Sequence, residues 1–263
     1  MINFCSFFSG SSGNCIFITN QHTKILVDAG VSGKTIEESL DNVGYNVNEI
    51  DAILVTHEHT DHVRGVGILS RKHNIPVYAN KKTWDAMRGS IGEVKEENIK
   101  YFNTNKDFEI GKIGVKAFNI PHDAAEPVGF SFYIDSKKVT SATDIGHINK
   151  KLIANLKNSD ILLLESNHDV EMVKVSRYPY FLKQRILGDN GHLSNESAGK
   201  LLCELINHGV DKVLLGHLSK ENNFPELCYQ AVINVLGTKD IKVGKDIKLE
   251  VARRDRQSTM YAI

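Results

Sequence analysis

Several features that would direct the chain to a membrane or to a charged partner are missing from its sequence. No stretch approaches the roughly 20 apolar residues of a membrane-spanning helix, and residues 1–6 contain no basic segment before an apolar run. Lysine plus arginine (32) equals aspartate plus glutamate (32), so no net charge attracts the protein to a polyanion. We therefore expect a cytoplasmic protein with no membrane partner, in which binding of nucleic acid depends on a local patch.

The chain is also poor in cysteine, with four cysteines in 263 residues and no pair at C-x-x-C spacing. This argues against a zinc ribbon or a redox dithiol and predicts reduced, mostly buried thiols. Low-complexity linkers, repeats and blocks of like charge are absent as well. Because 41% of the residues are hydrophobic, a chain of this length has enough apolar side chains for a sizeable core. We expect a single domain that spans residues 1–263.

Short β-forming runs dominate the first half of the chain, and helical patterns increase toward the C-terminus. The predicted strands are 16–19, 24–28, 52–56, 113–120, 129–135, 138–142, 160–165 and 212–216. The predicted helices are 63–72, 81–89, 148–157, 180–187, 194–207 and 225–236. The last two strands are almost wholly apolar, so helices must cover both of their faces. The pattern predicts an α/β (α+β) fold.

The richest chemical signal is the sequence HEHTDH at residues 57–62, which directly follows an apolar predicted strand. In an extended segment His57 and His59 point the same way and reach one metal, while the intervening glutamate points away. Asp61 and His62 then turn toward a second metal. Imidazole and carboxylate ligands suit Zn²⁺ and also accept Mn²⁺ or iron. The alternative is a solvated histidine-rich loop, and the spacing favours the metal site.

Six residues do not complete two metal sites, so further ligands are needed at the ends of other strands. His122, Asp144 and His217 each follow one of the predicted strands within two residues. Taken singly, each is more often an ordinary loop residue. Together they stand where a sheet would bring them to one edge, and this favours a metal centre built from all of them.

In this order, and with Asp28 in the sequence LVDAG at 26–30, the motifs resemble those of the metallo-β-lactamase superfamily over nearly the whole chain. The resemblance implies an αββα sandwich with a binuclear site for two divalent ions, Zn or Mn with Fe also compatible, at one edge of the two sheets. It implies that the first metal is held by His57, His59 and His122, that the second is held by Asp61, His62 and His217, and that Asp144 bridges them. Asp28 would orient a ligand or a bound water, with an exposed turn residue as the alternative.

Two motifs later in the chain resemble the proton-donating pair of tRNase Z. Glu165 ends a predicted strand, and His192 lies in the sequence GHLSN. The resemblance implies that His192 protonates the leaving oxygen and that Glu165 orients it and favours its charged form. A histidine that merely flanks a helix is the alternative. Asp61 and Asp28 complete the expected catalytic set, and we expect His168 to be exposed or to face the substrate without binding metal.

Longer motifs resemble the compact YycJ/WalJ group of the superfamily. They are GSSGN at 10–14, ESNH at 165–168, RYP at 177–179 and HLSKENN at 217–223. The resemblance implies a metal-dependent phosphodiesterase of bacterial cytoplasm, a 5′→3′ DNA exonuclease with a role in DNA repair, so that the expected partner is nucleic acid and specifically DNA.

Other functions remain in competition with a nuclease. Lactam-cleaving members are secreted and often carry cysteine where this chain has Asp144, so they fit poorly. Thioester hydrolases of the glyoxalase II type share the aspartate, so a small-molecule metallohydrolase acting on a thioester or a cyclic phosphodiester is the main alternative. A metal-redox or non-enzymatic binding protein is disfavoured by the complete ligand set and by the lack of room for a flavin domain.

Three local segments bear on the binding of a polyanion. Residues 177–185 interleave basic and aromatic side chains, which suits phosphate neutralisation and base stacking, although amphipathic packing of a helix explains the pattern equally well. The loop at 10–14 either presents backbone N–H groups to a phosphate or forms an ordinary turn. The basic segment at 252–256 is expected to be a solvated end.

Overall fold

The computed structural model describes residues 1–263 and distributes fourteen strands between two seven-stranded sheets. The first sheet begins with β1 (Asn3–Phe8), β2 (Cys15–Thr19), β3 (Lys24–Val27), β4 (Ala52–Leu54), β5 (Val77–Ala79) and β6 (Ile99–Tyr101). The second contains β7 (Asp107–Ile110), β8 (Ile113–Asn119), β9 (Val128–Ile134), β10 (Lys137–Ala142), β11 (Ile161–Glu165), β12 (Lys212–Gly216) and β13 (Lys248–Val251). The last strand, β14 (Tyr261–Ala262), returns to the first sheet.

Nine α-helices connect the strands. They are α1 (Gly33–Asn42), α2 (Thr60–Val63), α3 (Val66–His73), α4 (Lys81–Ile91), α5 (Lys150–Leu156), α6 (Val170–Val175), α7 (Tyr180–Leu187), α8 (Asn195–Leu205) and α9 (Pro225–Gly237). None of them combines the length and the apolar character that a membrane crossing requires.

Each sheet is antiparallel on one side and parallel on the other. The strand orders are β14-β1-β2-β3-β4-β5-β6 and β13-β12-β11-β10-β9-β8-β7. Strands β3 to β6 are parallel to one another, and so are β10 to β13. A parallel pair needs a long crossover, and helices provide those crossovers in both sheets. The helices therefore cover the outer faces of the sheets.

Three buried layers follow from this arrangement. Phe4, Phe130 and Phe132 belong to the layer between the two sheets. Trp84 packs with residues of α1, α3 and α4 on the outer face of the first sheet, and Leu202 packs with residues of α5, α8 and α9 on the outer face of the second. The predicted αββα sandwich is confirmed. The four cysteines are free and mostly buried, as the sequence predicted.

The sequence missed the helices α1, α2 and α6 and the strands β1, β5, β6, β7, β13 and β14, and it was right only in part about the segment at 252–256. Apart from β1, which has six residues, the missed strands have two to four. Strands of two to four residues carry little pattern of their own and depend on pairing with neighbours. Arg253, Asp255 and Arg256 are exposed as expected, but Ala252 is buried and Arg254 Nη1 donates to Ser219 O (3.0 Å). The chain then continues to β14, where Ala262 pairs with Asn3 of β1.

The strands deliver their carboxyl ends to one edge of the sandwich. The parallel strands β3 and β4 end there in the first sheet, and β10, β11 and β12 end there in the second. Strand β8 runs in the same direction as β10, because both are antiparallel to β9. At this edge Val128 N donates to Thr56 O (3.1 Å), which joins the two sheets directly.

The single-domain interpretation predicts one cooperative unfolding transition, because both sheets share the buried layer that contains Phe132. Phe132→Ala should lower the free energy of unfolding by about 3–5 kcal/mol, and the exposed neighbour Tyr133→Ala should have little effect. Urea unfolding followed by Trp84 fluorescence, which reports on the first sheet, and by far-UV circular dichroism should give coincident midpoints that shift together. A Trp84 transition that Phe132→Ala leaves in place would instead indicate two independent units.

Candidate metal centre

Three of the strand-end residues have left-handed backbone conformations. The φ angles are 60° at Asp28, 61° at Asp144 and 54° at His217. Aspartate and histidine both adopt this region more readily than most residues other than glycine. The conformation turns the chain sharply where each strand stops. It places all three side chains at the shared edge of the sheets. Asp144 and His217 lie there directly beside the clustered histidines.

The first group of side chains consists of His57, His59 and His122. His59 Nδ1 lies 3.0 Å from His57 Nε2 and 3.3 Å from His122 Nε2. A tetrahedral zinc site with bonds of about 2.0 Å separates its ligand nitrogens by about 3.3 Å, so the three imidazoles fit one ion. Burial lowers the pKa of His57 and His122, which favours the neutral imidazole that binds metal.

The second group consists of Asp61, His62 and His217, which approach the first group through Asp144. Asp61 Oδ2 lies 3.5 Å from both His62 Nε2 and His217 Nε2. Asp144 Oδ2 is 3.4 Å from His62 Nε2, and Asp144 Oδ1 is 3.5 Å from His217 Nε2 and 3.7 Å from His122 Nε2. Asp144 is therefore placed between the two groups.

Asp144 is the side chain whose surroundings most require a cation. It is buried, and its Oδ2 accepts no hydrogen bond. Burial alone would raise its pKa, but His217, His62 and His122 outweigh that effect and hold the pKa below its ordinary value. An ionised, partly unpartnered carboxylate in a buried site is costly unless positive charge lies beside it. The donor set thus fits two cations with a shared carboxylate.

Thr56 and Asp28 hold the second group from behind. Asp28 Oδ2 accepts from His62 Nδ1 (2.8 Å) and from the Thr56 hydroxyl (2.9 Å), and its Oδ1 accepts from Thr56 N (2.8 Å). The Thr56 hydroxyl is also 3.0 Å from His57 Nδ1. Asp28 is therefore buried against His62, a candidate ligand, and it is not an exposed turn residue. The sequence analysis did not assign Thr56 to the site. Its position as a polar residue between an apolar strand and HEHTDH could have indicated this role.

Asn14 is a second contact that the sequence did not predict. Its Nδ2 lies 3.3 Å from Asp61 Oδ2 and 3.0 Å from His62 Nε2. Three backbone N–H groups of the loop before β2 already have partners within the protein: Gly10 N donates to Asn14 Oδ1, Gly13 N donates to Gly10 O, and Asn14 N donates to Asp61 O. The open phosphate nest is therefore wrong for these three N–H groups, and the loop is a turn that carries Asn14 to the site.

Glu165 lies under the site and contacts two histidines at once. Its Oε1 accepts from His192 Nδ1 (2.9 Å) and from His217 Nδ1 (2.8 Å), and its Oε2 accepts from the backbone N–H groups of Ile145 (2.7 Å) and Leu193 (2.8 Å). Burial would raise the pKa of Glu165, but His192 and His217 outweigh it and lower the pKa below its ordinary range. The bond between Glu165 and His192 was expected from the sequence. The bond between Glu165 and His217, a candidate metal ligand, was not.

His192 is the more accessible member of that pair. Its side chain is 20% exposed, whereas Glu165 is fully buried, and its Nδ1 lies 3.9 Å from Asp144 Oδ1. The structure thus brings His192 to the open side of the candidate metal ligands. All residues that the sequence singled out for metal binding and catalysis lie together at this edge.

The expectation for His168 was wrong in part. The residue is buried, pairs through its backbone with Ser194, and has an Nδ1 atom without a hydrogen-bond partner. Burial lowers its pKa to about 4. It is therefore neither exposed nor facing an open cleft, because the chain after β11 folds inward at this point. It belongs to none of the groups of residues able to share one ion.

Comparison with known proteins defines the class that this fold and site represent. Residues 23–218 match the family model of the beta-lactamase superfamily domain. The chain belongs to the metallo-β-lactamase superfamily, as the motif order predicted. Within that superfamily it is similar over almost its whole length to two curated proteins. Exodeoxyribonuclease YycJ of Bacillus anthracis is 39% identical over 248 residues, which cover 94% of each chain. Exodeoxyribonuclease WalJ of Streptococcus pneumoniae is 42% identical over 243 residues, which cover 92% of this chain and 90% of WalJ.

Solved structures agree with the fold. Unliganded PDE1 of yeast matches with a TM-score of 0.73 at 12% identity, covering 97% of this chain and 99% of that one. The metallo-β-lactamase fold protein YhfI of Bacillus subtilis matches with a TM-score of 0.72 at 14% identity and 98% coverage of both chains. At such identities the likeness concerns the fold alone. The predicted resemblance to the YycJ/WalJ group is confirmed by the sequence relatives.

Neighbouring carboxylates of the HEHTDH segment provide a matched test of the site. Asp61 lies among His62 and His217, whereas Glu58 Oε1 accepts from Ala125 N (2.8 Å) on the other side of the strand end. We expect Asp61→Ala to lower kcat by at least about 100-fold through loss of a metal ligand, and Glu58→Ala to cost less than about tenfold. Initial rates of hydrolysis at saturating metal and substrate measure the kcat of both variants. Equal losses would show that Asp61 does not belong to the site.

Proposed function

We propose that the chain is a binuclear metal-dependent phosphodiesterase, specifically a 5′→3′ DNA exonuclease with a role in DNA repair. The observation that carries the proposal is the position of the buried Glu165. A single oxygen of its carboxylate, Oε1, accepts hydrogen bonds from both His217, a candidate metal ligand, and the partly exposed His192 beside it. This arrangement places a proton donor beside a cation site, and each of the two accelerates the hydrolysis of a phosphodiester. The names of the two relatives support DNA as the substrate. A cytoplasmic location accords with that substrate and with the free cysteines.

The ligand groups fit two divalent ions, Zn or Mn with Fe also compatible. The proposed ligands of the first ion are His57, His59 and His122, those of the second are Asp61, His62 and His217, and Asp144 is shared. When bound, a pair of ions of this kind neutralises phosphate oxygens and makes water a nucleophile at neutral pH.

The residues around the ligands hold them in the orientation that this chemistry needs. Asp28 accepts the Nδ1–H of His62 and thereby leaves His62 Nε2 facing the cluster. Glu165 does the same for His217. The catalytic set is thus Asp61 within the cluster, Asp28 and Glu165 behind it, and His192 at its open side.

His192 is assigned the proton that the leaving group needs. Glu165 accepts its Nδ1–H, so Nε2 is the nitrogen left to donate to the leaving 3′ oxygen. In the proposed reaction a water molecule loses a proton to the solvent and its oxygen bonds to phosphorus, the bond from phosphorus to the 3′ oxygen breaks, and His192 supplies the proton that this oxygen takes up. The product is a 5′-mononucleotide.

A digestion assay tests the proposal as a whole. Single-stranded DNA labelled at either end, the matching RNA, a thioester and a cyclic phosphodiester are incubated with the protein and with Zn²⁺ or Mn²⁺. We expect mononucleotides to be released from the 5′ end of DNA faster than any other product. Turnover of the thioester or the cyclic ester without release of nucleotides would contradict the nuclease function and show a small-molecule hydrolase instead.

We expect two metal ions per chain under metal-replete conditions, because seven ligand candidates exceed the four that one tetrahedral ion uses. His62→Ala should retain about one ion, whereas His22→Ala, a change at an exposed histidine outside these groups, should retain two. Elemental analysis after removal of excess metal measures the stoichiometry. At most one ion in the unmodified protein would contradict the binuclear centre.

His192→Ala should keep both ions and lower kcat on DNA by roughly 10²–10⁴-fold, because the leaving oxygen loses its proton donor. The loss should shrink on a p-nitrophenyl phosphodiester, whose leaving anion is stable without a proton. His147→Ala is the matched control, since His147 is exposed in a neighbouring loop and contacts Asp189 O instead. An undiminished loss on the p-nitrophenyl ester, or loss of metal, would argue against the acid role.

Glu165→Gln should differ from His192→Ala, because Glu165 contacts His217 as well. We expect the variant to need about 10- to 100-fold more metal for half-maximal activity, the cost of losing the partner of a ligand. At saturating metal, the combined loss with His192→Ala should be less than additive, since the pair acts as a unit. Metal titrations of activity measure both effects, with the exposed Glu196→Gln as control. An unchanged metal requirement would show that Glu165 does not support metal binding.

A further inference from the structure

The loop that joins β1 to β2 contacts segments of both sheets that carry the second group of candidate ligands; we call residues 9–14 the β1–β2 loop. At its start, Ser9 Oγ accepts from His217 N (2.8 Å). At its end, Asn14 N donates to Asp61 O (2.8 Å). The loop therefore joins a ligand segment of the second sheet to a ligand segment of the first, at the edge where the candidate metal centre lies.

Gly10 fixes the shape of this loop. Its N–H donates to Asn14 Oδ1 (3.0 Å), and its backbone pairs with Leu218, the residue after His217. A Cβ atom at this position would lie 2.6 Å from Arg254 Cγ and 2.9 Å from Leu218 O, and Cβ atoms do not approach other atoms that closely. The close packing therefore requires glycine here and holds the loop in one position against the His217 segment.

The Asn14 side chain extends from this loop into the second group. It is buried, and because its Oδ1 accepts from Gly10 N, its Nδ2 must face the candidate ligands. Nδ2 lies 3.2 Å from Asp61 O, 3.3 Å from Asp61 Oδ2 and 3.0 Å from His62 Nε2. An amide NH₂ group donates hydrogen bonds and does not accept them, so Asn14 is a donor and not a metal ligand through this atom. Its two N–H groups suit the two Asp61 oxygens.

Asp61 is the candidate ligand of the second group with the least support from other residues. Its side chain is 26% exposed, against 0% for His62 and 1% for His217. Each of the two imidazoles donates its Nδ1–H to a buried carboxylate. Asn14 is the only residue outside the two ligand groups whose side chain donates to the Asp61 carboxylate. The orientation of Asp61 therefore depends on Asn14.

We propose that Asn14 is the positioning residue of Asp61, and that the β1–β2 loop thereby sets how tightly the second metal ion binds while leaving the first unaffected. This inference rests on the proposed binuclear centre and adds a part of the chain that controls the occupancy of one of its two sites. Because the proposed chemistry uses a pair of ions, the loop determines the concentration of metal at which the protein becomes active.

The first group of candidate ligands offers an internal comparison, because no hydrogen bond joins it to the loop. His57 Nδ1 lies 3.0 Å from the Thr56 hydroxyl, and His122 Nδ1 donates to Gly191 O (3.0 Å). These partners belong to other parts of the chain. Loss of the residue that orients a metal ligand weakens metal binding by about 10- to 100-fold. A change at Asn14 is therefore expected to act on one ion and to spare the other.

The first experiment measures the two ions separately. Metal-depleted protein is titrated with Zn²⁺ in competition with a chromophoric chelator, and the ion that His62→Ala removes is assigned to the second group. We expect Asn14→Ala to weaken the binding of that ion about 10- to 100-fold and to leave the affinity for the other unchanged. Ser12→Ala, at an exposed serine of the same loop, is the matched control and should leave both unchanged. Equal weakening of both ions, or of neither, would overturn the inference.

The second experiment tests the other end of the loop and does not depend on the folding of Asn14→Ala. Ser9→Ala removes the acceptor of the His217 N–H and should weaken the binding of the second ion about 2- to 10-fold, the contribution of one hydrogen bond. With Co²⁺ in place of Zn²⁺, the part of the visible absorption that His62→Ala abolishes should change in both variants, and the remaining part should not. A spectrum identical to that of the unmodified protein would show that the loop does not position a ligand.

The two proposals fail in different ways. If the unmodified protein binds two ions and releases nucleotides, and Asn14→Ala binds both ions as tightly, the role of the loop fails and the nuclease function stands. If the unmodified protein binds at most one ion, the binuclear centre fails, and the role of the loop fails with it. If two ions bind and only small esters are hydrolysed, the nuclease function fails and the titrations still decide the role of the loop.

Discussion

The buried carboxylate of Asp144 is the constraint on which the rest of the site depends. It lies at the end of β10 within 4 Å of histidines from both groups, and one of its oxygens has no hydrogen-bond partner. Such a group is stable only where positive charge is supplied, so the surrounding imidazoles, their carboxylate partners and the strand ends that position them form one electrostatic unit. The apolar layers on both sides of each sheet supply the rigidity that keeps this unit from relaxing.

Much of this organisation could be predicted because it is encoded locally. HEHTDH is contiguous, and extended geometry alone assigns His57 and His59 to one side. The long apolar strands β11 and β12 required helices on both faces, and this gave the layer order. The distant candidate ligands His122 and His217 could be proposed because each follows a strand. Their grouping required the superfamily resemblance, since nothing local says which strand ends meet.

What the sequence did not predict comes from contacts between residues that are far apart in the chain. Glu165 and His217 are separated by 52 positions, and the two strands that carry them had to pair before their bond could be inferred. Asn14 reaches Asp61 for the same reason. His168 was misjudged because its motif resembles a loop, whereas the chain beyond β11 turns into the interior. The exposure of Tyr180 and Phe181 on α7 was equally undetermined, since the same spacing suits a packed helix and a bare one.

The pairing of β14 with β1 has a consequence for the order in which parts of the protein fold. Strand β1 leaves the ribosome first, yet its partner follows only after the whole of the second sheet. Until then β1 presents an open edge on one side, and the first sheet remains incomplete. Ile2 and Ile263 then exchange backbone hydrogen bonds of 2.9 and 3.0 Å. Because β1 and β14 are the first and last of the fourteen strands, their pairing joins residues of large sequence separation, and we expect this edge to close late in folding.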